Sequence, residues 1–312
     1  MACNEDQQVG YIQQSVAARY RASLWSGTAD SWIELHPAGM RESRALGVAD
    51  GQQVGWVSNE ADRQRMAGYW AGTAESWTPL HPTDAVASEA RDVADGRQVG
   101  YVVFDEASHA AVWSGSPESL EDLHPAGMLS SGLNETHAGE QGGWIEQVAG
   151  EVRAAVWSGT PGSVVDLHPV GSNWSIVYSV HAGWQVGVAL FDDGTHRPSV
   201  WNGDRESWED LLPTLPDGWN RGEAHSVWTD GRLLMVAGSA LSSSGGGVVP
   251  VLWARALCAA DLDIDGELTI FDFLTFQNLF DAHDPRADFD DDGEFTIFDF
   301  LAFQNAFDAG CP

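Results

Sequence analysis

The sequence predicts a mainly β chain: a repeat domain of about six four-stranded units over residues 1–257, then a small all-α, metal-binding tail over residues 258–312. Three observations carry this. Tryptophans recur at a near-constant interval, glycines and Asp-Gly pairs recur in step with them, and two acidic loops near the C-terminus are each followed by helical periodicity.

From Gln7 onward one unit repeats: Gln-Val-Gly-aromatic, a variable loop, Ala-x-x-Trp-Ser-Gly, then Ser-Trp-x-x-Leu-His-Pro and a small-apolar stretch ending in Asp-Gly. Trp25, Trp70, Trp113, Trp157, Trp201 and Trp253 mark it at spacings of 45, 43, 44, 44 and 52, and Gly10, Gly55, Gly100, Gly143 and Gly187 keep pace. A period near 44 is the length of a β-propeller blade. In the third copy, residues 91–94, 98–104, 110–113 and 119–123 read as four short strands, which make one blade. Asp50-Gly51, Asp95-Gly96 and Asp230-Gly231 stand where a tight hairpin turn needs positive φ. The first unit is read as starting at the second strand of a blade, and the last unit ends after Trp253 without Ser-Trp-x-x-Leu-His-Pro. One inner and one outer strand are therefore expected to be missing. Residues 242–247, Ser-Ser-Ser-Gly-Gly-Gly, read as a flexible loop insertion that lengthens the last spacing. Through Gly-x-x-Val-Gly, Ala-x-x-Trp and the closing Asp-Leu of Asp122-Leu123, Asp166-Leu167 and Asp210-Leu211, residues 7–257 resemble the HAF-type repeats of extracellular proteins. That resemblance implies architecture and little chemistry.

The tail writes one sentence twice, from Asp261 and again from Asp288. Side-chain oxygens fall at loop positions 1, 3, 5, 9 and 12, with Gly at 6 and a main-chain oxygen at 7, the EF-hand-like spacing that wraps calcium. Asp261, Asp263, Asp265, Glu267, Thr269 and Asp272 serve the first loop. Asp288, Asp290, Asp292, Glu294, Thr296 and Asp299 serve the second, with Gly266 and Gly293 at the bends. Two calcium ions are expected. Thr269 with Asp272, and Thr296 with Asp299, have capping-box spacing, so each helix begins on residues of its own metal loop. On a helical wheel Ile270, Phe273, Leu274, Phe276 and Phe280 form one stripe, and Ile297, Phe300, Leu301, Phe303 and Phe307 repeat it. Those ten are the expected core of the tail. Phe271 and Phe298 lie off the stripe and are candidates for a partner surface.

A loop followed by a helix, twice, with Asp at position 12 and a closing Gly310-Cys311, resembles a dockerin of the Gly-Cys-terminated type, over roughly the last 55 residues. The resemblance implies a protein partner, a cohesin-like or other anchoring protein, read at loop positions 10 and 11. Here these are Ile270-Phe271 and Ile297-Phe298, in place of the small hydroxyl residues common in cellulosomal members.

Composition narrows the function classes. All 15 basic residues are Arg against 46 acids, a net charge of −31, so neither nucleic acid nor an anionic membrane is an expected partner. The absence of Lys excludes Schiff-base and phosphate-loop lysine chemistry. No stretch is long and apolar enough to span a membrane. Cys258 and Cys311 bracket the tail and read as a disulfide clasp, worth about 4 kcal/mol for so long a loop, which leaves Cys3 over. Disulfide and calcium together indicate an extracellular or cell-surface protein. Residues 1–20 hold no signal-peptide-like run, so the N-terminus is expected to be incomplete.

His36, His81, His124 and His168 recur as Leu-His-Pro, and a structural role at the turn outweighs a metal ring because each sits on a different blade. No Gly-x-Ser-x-Gly elbow occurs, and no carboxylate pair stands out for glycoside hydrolysis. Trp32, Trp77 and Trp208 could stack on sugars, but blade packing is the favoured use of such rings. The reading is a secreted, non-enzymatic propeller sorted or anchored by its calcium-dependent tail. The alternative is a carbohydrate-binding lectin or polysaccharide-active enzyme delivered by that tail.

Overall fold

The structure is a computed structural model that describes residues 2–4, 6–13, 19–61, 63–231, 233–242, 247–263, 265, 267–290 and 292–310. By internal contact the chain divides into two units, residues 1–226 with 238–250, and residues 227–237 with 251–312. The ends of the last sheet's strands thus group with the tail.

Six sheets follow one another, each with its strands in sequence order. The first comprises Ala2–Cys3, Gln8–Ile12, Arg21–Trp25 and Ile33–Glu34; the second Glu42–Ala49, Gln52–Ser58, Arg65–Trp70 and Thr78–Pro79; the third Ala87–Ala94, Arg97–Phe104, Ala107–Trp113 and Glu121–Asp122. The fourth comprises Ser130–His137, Glu140–Val148, Glu151–Trp157 and Val165–Asp166, and the fifth Ser172–His181, Trp184–Phe191, His196–Trp201 and Glu209–Asp210. The sixth has three strands among the described residues, Trp219–Thr229, Leu233–Ser242 and Val248–Ala256. The expected loss of an inner strand is corrected: Ala2 and Cys3 pair with Val9 and Gln8 as a two-residue strand. Its brevity hid it from any periodicity test. Of the expected loop insertion, residues 243–246 lie outside the described residues.

The repeat residues explain the fold. Gln53, Gln98, Gln141 and Gln185 are buried, and their carboxamide oxygens accept from the amides of Gly72, Gly115, Gly159 and Gly203 at 2.8–2.9 Å. Their Nε2 atoms donate to the carbonyls of Gly51, Gly96, Gly139 and Gly183. One side chain thereby ties the first hairpin of a sheet to the turn after its third strand. The glycine two residues on is required sterically. A Cβ at Gly55, Gly100 or Gly187 would lie 1.9 Å from a carbonyl oxygen of the neighbouring strand. In each of these sheets the partner strand carries a β-bulge just there, one extra residue at Leu46, Arg91 or Tyr178, and Asn134 is the bulged residue opposite Gly143.

Each of the first four junctions between successive sheets holds its own buried cluster. Trp70, Trp113, Trp157 and Trp201 are fully buried, each against the preceding sheet: Trp70 with Leu24 and Leu35, Trp113 with Val54 and Leu80, Trp157 with Val112 and Leu123, Trp201 with Val156 and Leu167. Burying an aromatic of 150–250 Å² contributes about 4–6 kcal/mol at the usual coefficient.

In the second unit, helices α1 (Ile270–Asp281) and α2 (Ile297–Ala309) follow the two acidic loops. Phe276 and Phe303 stack at 4.4 Å, and Phe273, Phe280, Phe289, Phe295, Phe300 and Phe307 surround them with Cys258, Ala260 and Ala287. The expected ten-residue core is corrected in four places, because Ile270, Leu274, Ile297 and Leu301 are exposed. Phe273, Phe276 and Phe280 occupy about 60° of arc at 100° per residue, and Ile270 and Leu274 lie about 60° and 100° beyond its edge. Loop residues Leu262, Leu268, Phe289 and Phe295 close the core instead. No described helix is long and apolar enough to cross a membrane.

Candidate functional site

The tail loops are shaped by their own carboxylates. The Asp265 amide donates to Asp261 Oδ1 (3.1 Å) and Asp263 Oδ1 (3.2 Å), and the Glu267 amide to Asp265 Oδ1 (2.8 Å). In the second loop the Gly293 amide donates to Asp288 Oδ2 (2.9 Å) and the Glu294 amide to Asp292 Oδ1 (2.8 Å). Gly293 has φ +80°, which its bend requires, whereas Gly266 lies outside the described residues. One carboxylate oxygen from each of Asp261, Asp263 and Asp265 lies within 4.8 Å of the other two, and Asp288, Asp290 and Asp292 are gathered in the same way.

The position-12 residues are used differently. Asp272 is fully buried, its Oδ1 accepting from the amides of Leu262 (2.8 Å) and Asp263 (3.3 Å) and its Oδ2 from that of Thr269 (2.9 Å). Asp299 likewise accepts from Phe289 (2.8 Å) and Thr296 (2.7 Å). Thr269 and Thr296 cap the helices, their hydroxyls accepting from the Phe271 and Phe298 amides at 3.1 Å. Three Asp of each loop thus converge, while the fourth ties the loop to its helix.

Electrostatics favour a cation in both loops. Desolvation first, then the charges of Asp272, Asp265 and Asp261, raise the Asp263 carboxyl above its ordinary value; desolvation, then Asp292, Asp299 and Asp288, do the same to Asp290. Burial pushes Asp299 upward, but the amides of Thr296, Phe289 and Asp290 outweigh it and hold its carboxyl low. In the second loop Asp288 Oδ1 is buried with no hydrogen-bond partner, an anionic oxygen suited to a metal. An all-oxygen, mostly carboxylate donor set fits a hard cation such as calcium and not a thiophilic or imidazole-preferring one.

Beside the loops lies a duplicated apolar face. Ile270, Phe271 and Leu274 are 64%, 61% and 47% exposed, and Ile297, Phe298 and Leu301 are 64%, 63% and 46% exposed. Cys258 is buried in the phenylalanine core, Cys3 is an exposed free cysteine, and Cys311 lies outside the described residues.

In the repeat domain the Leu-His-Pro histidines are braces. Nδ1 of His36, His81, His124 and His168 lies 2.7–2.8 Å from Oγ of Ser43, Ser88, Ser131 and Ser175, the serine seven residues on in the next sheet. Each of those hydroxyls accepts an amide of the preceding sheet, from Ala22, Ala67, Ala110 or Ala154. Burial lowers His36, His124 and His168, which suits an uncharged ring. Of the candidate sugar-stacking rings, Trp32 and Trp208 donate to Ser23 and Ser199, and Trp77 packs on Trp70 at 4.5 Å.

Two features escaped the sequence. After each bulge, Asp92 Oδ2 accepts the Thr136 amide (3.0 Å) of the next sheet, and Glu135 Oε2 the Val180 amide (2.8 Å) of the one after. Burial raises both carboxyls, and the Asp92 charge raises Glu135 further. Secondly, a cleft of about 190 Å³ is lined by His196, Arg221, Gly222, Glu223, Ser239, Ala240, Leu241 and Val248. Glu223 lies 3.3 Å from His196 and bonds the Tyr178 hydroxyl, whose pKa is raised by burial and then by that carboxylate. Both sit at positions that vary between repeats, so the period itself masked them.

No family model matches the chain, and no curated protein matches it. Among solved structures, the chain is similar to the β-propeller domain of the Trilobed protease from Pyrococcus furiosus, with TM-score 0.51, 8% identity, 82% of this chain and 83% of that one covered. It is also similar to a puromycin hydrolase mutant complexed with PGG, with TM-score 0.52, 11% identity and 80% of this chain covered. TolB from Acinetobacter baumannii matches at TM-score 0.49 and 9% identity over 80% of this chain. The chain spans 64% of the TolB chain and 44% of the hydrolase chain. At such identities the likeness shows the fold alone: the six sheets are those of a β-propeller.

Proposed function

We propose that the chain is a secreted, non-enzymatic β-propeller of HAF-like repeats, anchored or sorted through a calcium-dependent, dockerin-like tail that binds a protein partner. The observation that carries this reading is the duplicated face of Ile270, Phe271 and Leu274 with Ile297, Phe298 and Leu301, set directly beside two loops of gathered carboxylates. An exposed aromatic-aliphatic patch rimmed by charge suits a protein partner. Asp261, Asp263 and Asp265 would hold one calcium ion and Asp288, Asp290 and Asp292 the second. Asp272, Asp299, Thr269, Thr296 and the main-chain oxygens of Glu267 and Glu294 complete the expected sets. The ions would supply the positive charge that lets three carboxylates share one loop. A Cys258–Cys311 clasp and extracellular calcium agree with an oxidising compartment. The partner is a cohesin-like or other anchoring protein. The test is surface plasmon resonance of the full chain against a panel of cohesin domains, in calcium and in EDTA. Calcium-dependent binding that Phe271→Ala with Phe298→Ala removes supports the reading; binding unchanged by EDTA, or none across the panel, counts against it.

A second reading, a carbohydrate-binding or polysaccharide-active propeller, is favoured by the cleft around Glu223, where a carboxylate, an imidazole and a guanidinium line a space with an apolar side of Ala240, Leu241 and Val248. A glycan array with a hydrolysis screen separates the two. Binding without turnover marks a lectin, turnover an enzyme, and silence leaves the anchoring reading.

A further inference from the structure

The chain's own repeats describe an occupant for the edge of its last sheet. In the other five sheets the third strand is covered by a two-residue fourth strand in one fixed register. The residue just before the marker tryptophan pairs with its first residue, as Leu24 with Ile33 and Val200 with Glu209, and the residue before that pairs with its second, as Ser23 with Glu34 and Ser199 with Asp210. A buried leucine follows every time, Leu35, Leu80, Leu123, Leu167 or Leu211. In the sixth sheet the marker is Trp253, the matching residues are Val251 and Leu252, and the strand Val248–Ala256 ends the sheet among the described residues. Leu252 is 60% exposed, whereas Leu24, Val112, Val156 and Val200 at the same place are at most 6% exposed.

We propose that this edge, centred on Val251 and Leu252, is a β-augmentation site for an extended peptide that imitates the repeat's own fourth strand. Main-chain pairing would give affinity, and a leucine after the paired dipeptide would give specificity. The charge preference also follows from the siblings. Where the third strand carries a basic side chain four residues before the tryptophan, the fourth strand answers with an acid: Arg21 with Glu34, His109 with Asp122, Arg153 with Asp166, Arg197 with Asp210. The second sheet has Met66 there, and its fourth strand is the uncharged Thr78-Pro79. The sixth repeat has Val249 in that place. Its occupant is therefore a partner segment of the second sheet's kind, aromatic, β-branched, uncharged, leucine. An acidic strand would lack its cation and meet a chain of net charge −31.

The experiment is fluorescence polarisation of a labelled peptide with the sequence of residues 76–81, Ser-Trp-Thr-Pro-Leu-His, titrated with the full chain. Saturable one-to-one binding is expected, tighter than that of the acidic segment 207–212, Ser-Trp-Glu-Asp-Leu-Leu, whose two carboxylates would meet a chain of net charge −31 with no basic side chain at Val249 to answer them. Methylating the peptide nitrogen of the threonine should weaken binding at least tenfold, as should Leu252→Glu in the protein. The peptide variant probes the intact chain, so it reports even if Leu252→Glu misfolds. No saturation up to 1 mM peptide, or equal binding of the N-methylated peptide, overturns the proposal. So does a dimer that Leu252→Glu splits, because a second copy would then be the occupant.

Discussion

Replacing Glu135 by Gln should flatten the pH dependence of propeller stability. When folded, Glu135 is desolvated and faces the Asp92 charge, which pushes its pKa up from 4.5 to about 8. A folded-state pKa above the unfolded one means that the native state binds the extra proton, so the stabilisation is complete below about 4.5 and is lost as pH rises through 8. At 1.36 kcal/mol per unit, the ceiling of that loss is about 5 kcal/mol. Gln keeps a carbonyl oxygen for the Val180 amide, now received at 2.8 Å, and carries no charge. All 15 tryptophans precede residue 258 and 13 of them lie in the first unit, so their fluorescence reports mainly on its sheets. Urea unfolding of the full chain at saturating calcium, from pH 5 to pH 9, should show native stability falling by several kcal/mol while Glu135→Gln changes little. Asp92→Asn should lie between, because it removes the second of the two causes and leaves burial. Parallel curves for wild type and Glu135→Gln would falsify the argument, since the carboxyl would then be ionised in both states.

Further outcomes follow from the same contacts. Asp272→Ala strips the amides of Leu262, Asp263 and Thr269 of a buried acceptor and should destabilise the tail by about 3 kcal/mol with or without calcium. Asp263→Asn should instead weaken calcium binding by isothermal titration and leave the calcium-free tail no less helical by circular dichroism, because it removes like charge from the cluster. Trp113→Ala opens a cavity between the second and third sheets and should cost about 3–5 kcal/mol in urea unfolding. Gln98→Leu leaves the Gly115 amide and the Gly96 carbonyl without their partner and should cost about 2 kcal/mol by the same assay.

The fold was legible because the repeat states it several times. One Trp or one Gln-Val-Gly proves little, but five copies in step specify sheet length, turn positions and the packing of sheet on sheet. The acidic loops were legible for a related reason: ligand spacing is a property of consecutive residues and needs no tertiary knowledge. What stayed hidden depended on departures from regular geometry. The bulges at Leu46, Arg91, Asn134 and Tyr178 shift the register by one residue, so Asp92 and Glu135 reach the next sheet's amides from places that a strict alternation assigns elsewhere. The tail helices misled for the opposite reason. They are apolar on most of their circumference, so period alone could not say which arc is covered, and the aromatic rings took the core while Ile270, Leu274, Ile297 and Leu301 stayed outside.

This division suggests where chemistry can reside in such a chain. The recurring Gln, His and Ser side chains tie one sheet to itself or to its neighbour, and the marker Trp rings are buried between sheets, which leaves these positions little room for a ligand. The side chains that differ from copy to copy lie at other places. One is the bulge position, where Leu46, Arg91, Asn134 and Tyr178 are unlike one another although their backbones match. A second is the turn position that is Asp50 and Asp95 in two copies and Ala138 and Ala182 in the next two, where His137 and His181 stack at 4.0 Å. A third is the last sheet, which among the described residues lacks the strand that the other five share. The cleft around Glu223 and the edge at Leu252 both belong to this variable set, and so selection on function can alter them without disturbing the brace that each repeat needs in order to fold.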